Sequence, residues 1–164
     1  MVPMIKTVDE VIYAKNALYY PPKGTRSIGM ARANSYLSNF KSYYHSSKNI
    51  PLIVIIEHID AVNNLEELLD TKCIDCIMIG PYDLTGSMGI PGELKNPKYL
   101  KVKEKIFKIA KSRNVSIGIH IIEPNIKELK KRVEEKYNFI AYSLDIRIIL
   151  NSLREASSFV KKIK

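Results

Sequence analysis

The sequence predicts an α/β fold with parallel strands, and three observations carry that expectation. The runs Ile53-Val54-Ile55-Ile56 and Ile77-Met78-Ile79 are continuously apolar, as strands covered on both faces are. A helical stretch from Asp60 to about Thr71 separates them and is long enough for a right-handed crossover. Strand-type and helix-type segments then go on alternating along the chain.

The elements follow in order. Met1 to Ile5 reads as a short strand. Thr7 with Glu10 three residues later is a capping-box pattern, opening a helix through Val11, Ile12, Ala14 and Leu18. Pro21-Pro22-Lys23-Gly24 ends that helix. A long connection, Thr25 to Asn49, holds Arg26 and Arg32 and a short helix near Tyr36 to Tyr44. Strand Leu52–Glu57 is followed by a helix with Asp60 as N-cap and Val62, Leu65, Leu68 and Leu69 as its apolar stripe.

Strand Ile74–Gly80 then leads into a glycine-rich loop, Thr85 to Gly89, that follows no nucleotide-binding pattern. Asn96-Pro97 opens the next helix in N-cap and N1 order, with Leu100, Ile106, Ile109 and Ala110 as its core face. Val115 to Ile122 is a strand carrying His120 near its end, and Asn125 with Glu128 caps the helix after it. Phe139–Ser143 is the last strand. Asp145 caps a final helix whose apolar spacing is Ile149, Leu153, Ala156, Val160, Ile163. Five βα units result.

Composition narrows the function classes. At 164 residues, 46% hydrophobic and 26% charged, the chain reads as one globular domain, residues 1–164. No apolar stretch approaches membrane-spanning length and no signal peptide precedes the first strand, so no membrane is expected and the cytoplasm is the expected compartment. The net charge of +9 raises the question of nucleic acid. The lysines, however, mix with glutamates along helix faces such as Lys127-Glu128-Leu129-Lys130-Lys131-Arg132, and no nucleic-acid-binding motif occurs. Cys73-Ile74-Asp75-Cys76 is formally a CxxC, but it lies at a strand start without further ligands nearby, so packing thiols are expected.

Chemistry concentrates where two strands stop at a carboxylate: Ile53 to Glu57-His58, and Ile77 to Gly80-Pro81-Tyr82-Asp83. Parallel α/β folds place their sites at the carboxyl ends of strands, and neighbouring strands lie about 4.8 Å apart. If these two are neighbours, Glu57 and Asp83 converge. Two hard oxygen ligands with positions left for water and substrate describe a Mg²⁺ or Mn²⁺ site. The plainer alternative is a helix N-cap or a solvated loop charge. For His120 the alternatives are a satisfied core histidine and a pocket-lining residue.

The run IEHIDAVNNLEELL followed by IDCIMIGPYDLTGSMG resembles the HpcH/HpaI aldolase family, within the phosphoenolpyruvate/pyruvate-binding barrel superfamily. Upstream, PPKGTRSIGMARANSY resembles that family's loop between strands four and five, and the likeness covers nearly the whole chain. It implies a partial (β/α)8 TIM barrel, units four to eight with the first three missing, since a complete barrel takes about 250 residues. It implies Glu57 and Asp83 as ligands of a divalent metal that binds the keto-acid oxygens of pyruvate. Gly80, Pro81, Tyr82 and Asp83 would form the substrate-binding turn, offering backbone N–H groups to a carboxylate (Pro81 cannot donate). The strand-end position of His120, apart from the resemblance, makes it a candidate pocket-lining, substrate-binding residue beside the core alternative.

The implied reaction is reversible cleavage of a 4-hydroxy-2-keto acid to pyruvate and an aldehyde. Departures temper that transfer. The family's early-strand arginine and histidine have no counterpart, which leaves the catalytic residues unassigned and the activity of the chain on its own open. Ile55 stands where some members carry a substrate-contacting glutamine. The family's long loop lies near the active-site mouth, which for Arg26 and Arg32 stands beside a plain loop-ordering role. Open barrel edges imply a homo-oligomer or a complementing N-terminal chain. Two alternatives remain: a non-catalytic keto-acid- or partner-binding remnant, and a complete flavodoxin-like domain of the same size.

Overall fold

The computed structural model describes residues 1–163. Its four parallel strands are β1 (Ile53–Ile56), β2 (Cys76–Ile79), β3 (Ser116–Ile121) and β4 (Phe139–Tyr142), paired in that order. The order follows the chain without reversal, so there is no topological switch point and the flavodoxin-like alternative is set aside.

The fifth expected strand, Met1–Ile5, does not form. It contributes one parallel bridge, in which the Val2 N–H donates to the Ile53 carbonyl at 2.8 Å and the Ile55 N–H donates to the Val2 carbonyl at 2.9 Å. Beyond it Pro3 has no N–H, and Met4 turns away with φ +56°.

Strand register sorts the side chains into two faces. Val54, Ile77 and Ile117 form one row, and Ile56, Ile79 and Ile119 the next. These six are buried in a single core with Val11, Leu65, Leu68, Ile106 and Ile109 from the helices. Burying one such side chain contributes about 1.5–3 kcal/mol, so this face holds the sheet to its helical layer. On the opposite face Ile55, Met78 and Gly118 form a row. The residues two further along each chain are Glu57, Gly80 and His120. Period-two alternation therefore puts these three on one face, at the carboxyl end of the sheet.

Helix α1 (Val8–Leu18) starts at the expected capping box, Thr7 with Glu10. The stretch from Asp60 to Thr71 divides into α3 (Ile59–Asn63) and α4 (Leu65–Asp70). Asn64 interrupts it by donating its side-chain amide to the Lys6 carbonyl at 3.0 Å. The N-cap is His58 rather than Asp60: its Nδ1 accepts the Asp60 N–H at 3.2 Å. The expected glycine-rich loop is also partly helical, because Thr85 to Ser87 complete α5 (Pro81–Ser87). Thr85 is fully buried, its hydroxyl donating to the Pro81 carbonyl and accepting the Gly92 N–H.

Helix α6 (Pro97–Ser112) opens at Asn96-Pro97 as expected, but Tyr99 is buried in place of Leu100, which is 45% exposed. The long connection carries α2 (Phe40–Ser46), four residues later than the expected start. Helix α7 (Ile126–Glu134) is capped by Asn125. In α8 (Asp145–Ile163) the Asp145 carboxylate accepts the Ile146 N–H. Its apolar spacing is as expected, yet Ile149, Leu153, Val160 and Ile163 all stand exposed.

Candidate functional site

Glu57 follows β1 directly and is 9% exposed, an ionisable side chain at the rim of an apolar sheet. Its Oε1 accepts the Met4 N–H at 2.8 Å. Gly80 forms the opposite wall: a β-carbon built there would stand 2.8 Å from both Glu57 Cβ and Glu57 Oε2. No lysine or arginine pairs with Glu57 among the described residues. A buried carboxylate without a cation is costly, and a bound cation is one resolution of that cost.

Gly80 is the N-cap of α5, with Pro81 in the first helical position, where its missing N–H is no loss. The Gly80 N–H is already spent on the Ile56 carbonyl at 3.1 Å, which corrects its expected availability to a substrate carboxylate. The N–H groups of Tyr82 and Asp83 lie in the first turn, where a helix leaves donors without intrahelical partners. Asp83 is exposed and sits in that turn, so its charge also complements the helix dipole.

Glu57, His58, Tyr82 and Asp83 line one open cavity of about 650 Å³, together with Met4 and Ser87. The two predicted metal ligands therefore line the same cavity. Pro81 and His120 are not in that group: they line a neighbouring groove between α6 and α7, with Tyr82 common to both. His120 Nε2 lies 3.2 Å from the Ser143 carbonyl, tying the ends of β3 and β4. Among the described residues no cluster of three or more His, Cys, Asp or Glu is placed to hold a metal. Two carboxylates still suit Mg²⁺ or Mn²⁺, since Mg²⁺ commonly keeps several waters and one or two protein carboxylates.

Other candidates resolve into structural roles. Both cysteines are free, and burial, reinforced by the Asp75 charge, pushes the Cys76 thiol up to about 11, which keeps it protonated. The Arg26 guanidinium stacks on Tyr20, 4.7 Å from the ring centroid, and donates to the Tyr43 hydroxyl at 3.1 Å. Neither Arg26 nor Arg32 lines the Glu57 cavity, so Arg26 orders its loop. Met4, His58 and Ser87 were missed from sequence. Only His58 left a local trace, as a polar residue directly before a helix; Met4 and Ser87 arrive by tertiary contacts with no sequence signature.

A parallel βα sheet in sequential order, with carboxylates gathered at its carboxyl end, defines the class as a barrel-type α/β protein. Residues 1–152 match the family model described as HpcH/HpaI aldolase/citrate lyase, and the chain belongs to that family. It is 28% identical over 163 residues to 5-keto-4-deoxy-D-glucarate aldolase of Shigella boydii, covering 99% of this chain and 63% of that enzyme. Among solved structures it is similar to an HpcH/HpaI aldolase/citrate lyase family protein of Burkholderia cenocepacia, with a TM-score of 0.85 at 26% identity, covering 97% of this chain and 63% of that one. The fold also matches an HpcH/HpaI aldolase of Desulfitobacterium hafniense, with a TM-score of 0.82 at 21% identity, covering 97% and 62%. The chain thus spans just under two thirds of these relatives. No helix among the described residues is long and apolar enough to cross a membrane.

Proposed function

We propose that this chain carries the metal- and keto-acid-binding part of a class II, metal-dependent aldolase, acting on 4-hydroxy-2-keto acids to give pyruvate and an aldehyde. One observation carries the reading: Glu57, buried without a cation, opens into the same cavity as Asp83 at the ends of adjacent parallel strands. Family membership and the likeness to a keto-sugar-acid aldolase support it.

In this reading Glu57 and Asp83 hold Mg²⁺ or Mn²⁺. The bound ion would supply Lewis-acid polarisation of a keto oxygen. The first-turn N–H groups of Tyr82 and Asp83 would be the donors to the substrate carboxylate, Gly80 leaves room for the Glu57 side chain, and Tyr82 forms the wall shared with the Pro81–His120 groove. The test is a coupled assay for pyruvate released from 4-hydroxy-2-keto acids with Mn²⁺. Turnover by wild type that is lost in Glu57→Ala and Asp83→Ala supports the reading; turnover at the wild-type rate in both variants contradicts it.

A second reading is a non-catalytic keto-acid-binding remnant. It draws on the absence of any cluster of three metal-ligating side chains among the described residues, and predicts binding without turnover. In either reading the exposed apolar stripe of α8 favours association with a second copy or with a complementing chain. Sedimentation of wild type against Ile149→Lys/Leu153→Lys checks this: association should be lost in the double variant.

A further inference from the structure

Met4 makes a contact that sheet formation does not require. In a ladder continued from the Val2–Val54 bridge, the Met4 N–H would be the next donor and the Ile55 carbonyl its acceptor. Met4 instead takes φ +56° and turns its N–H onto Glu57 Oε1. Lys72, Asn114 and Lys136 also have positive φ, each after the C-terminus of a helix, where that conformation is ordinary; Ser35, Tyr36 and Leu37 take it in turns of the long connection and Ser143 just after β4. Met4 follows no helix. A left-handed non-glycine residue in such a place persists only where its surroundings demand it.

The demand comes from Glu57. Its carboxylate is held between a backbone donor at Met4 and the side-chain-free wall at Gly80. Oε1 is occupied, while Oε2, beside Gly80, accepts no hydrogen bond among the described residues. We infer that Met4 is a positioning residue, whose backbone N–H fixes the Glu57 carboxylate so that Oε2 is the oxygen offered to a cation. This rests on the reading of Glu57 as a metal ligand.

The residue-4 variants separate the two claims. Met4→Gly keeps the N–H and adopts positive φ without strain. Met4→Val keeps the N–H, but its β-branched side chain disfavours that backbone. The full chain, ¹⁵N-labelled, is measured for exchange protection of the residue-4 amide without metal. Mn²⁺ affinity follows by calorimetry, at a temperature where circular dichroism shows every variant folded. Met4→Gly is expected to retain both properties. Met4→Val is expected to lose the protection and to weaken Mn²⁺ binding by about tenfold or more, as loss of an outer-shell partner does. Wild-type binding that Met4→Val leaves unchanged overturns the positioning role alone. Failure of the folded wild type to bind Mn²⁺ removes Glu57 as a ligand and the positioning role with it.

Discussion

Gly80 stands against Glu57 so closely that a β-carbon at Gly80 would lie 2.8 Å from the Glu57 carboxylate oxygen Oε2. The two residues share a face, one just after β1 and the other just after β2. The absent side chain at position 80 therefore defines the space the carboxylate occupies. Gly80 has φ −95°, so the position calls for room and not for left-handed backbone.

Gly80→Ala follows directly. The added methyl must displace Glu57, and overpacking of this kind costs about 1–3 kcal/mol. Thermal unfolding should show that loss, and Mn²⁺ affinity should fall with it. Unchanged stability and unchanged Mn²⁺ binding would show that Glu57 has no fixed seat.

The Cys76 thiol sets an alkaline limit. Its ordinary value of 9.0 is raised to about 11 by burial, with the Asp75 charge adding to the effect. The unfolded chain releases this proton first, so stability from this source is fully present below pH 9 and declines as pH rises through 11. The loss approaches about 2 kcal/mol by pH 11. Denaturant unfolding of wild type and Cys76→Ala between pH 8 and 11 isolates it, since other groups cancel in the difference. A constant difference across that range contradicts the assignment.

Tyr137 is 4% exposed, its ring meeting Phe107 edge-on at 4.7 Å, yet its hydroxyl has no partner among the described residues. Burial raises its pKa, and the nearby Arg132 charge offsets this only in part. Removing an unpaired buried hydroxyl relieves a desolvation cost and keeps the ring contact. Tyr137→Phe should therefore melt at the same temperature or higher, by up to about 1 kcal/mol of added stability. A loss of that size instead would reveal a bonded hydroxyl.

The strands and the carboxylates that follow them were legible because continuous Val/Ile runs stop abruptly at Glu57 and at Gly80-Pro81. The capping pairs at Thr7, Asn96 and Asn125 were equally plain, since a cap is decided within four residues. What failed depended on distance. Met1–Ile5 looks like a strand, but the turn of Met4 toward Glu57, 53 residues away, ends the pairing. Asn64 divides a continuous helical pattern because its partner is the Lys6 carbonyl. Tyr99 replaces Leu100 in the core through a one-residue rotation that a period of 3.6 does not resolve. His120 shares a face with Glu57 and Gly80 yet opens into a different cavity, a separation set by α5 and Tyr82.

The most direct test is calorimetric titration of Mn²⁺ into the full chain, with and without pyruvate, on wild type, Glu57→Ala and Asp83→Ala. The account predicts wild-type binding that pyruvate tightens and that both substitutions abolish. No binding by a wild-type chain that unfolds cooperatively, or binding that survives both substitutions, would contradict it.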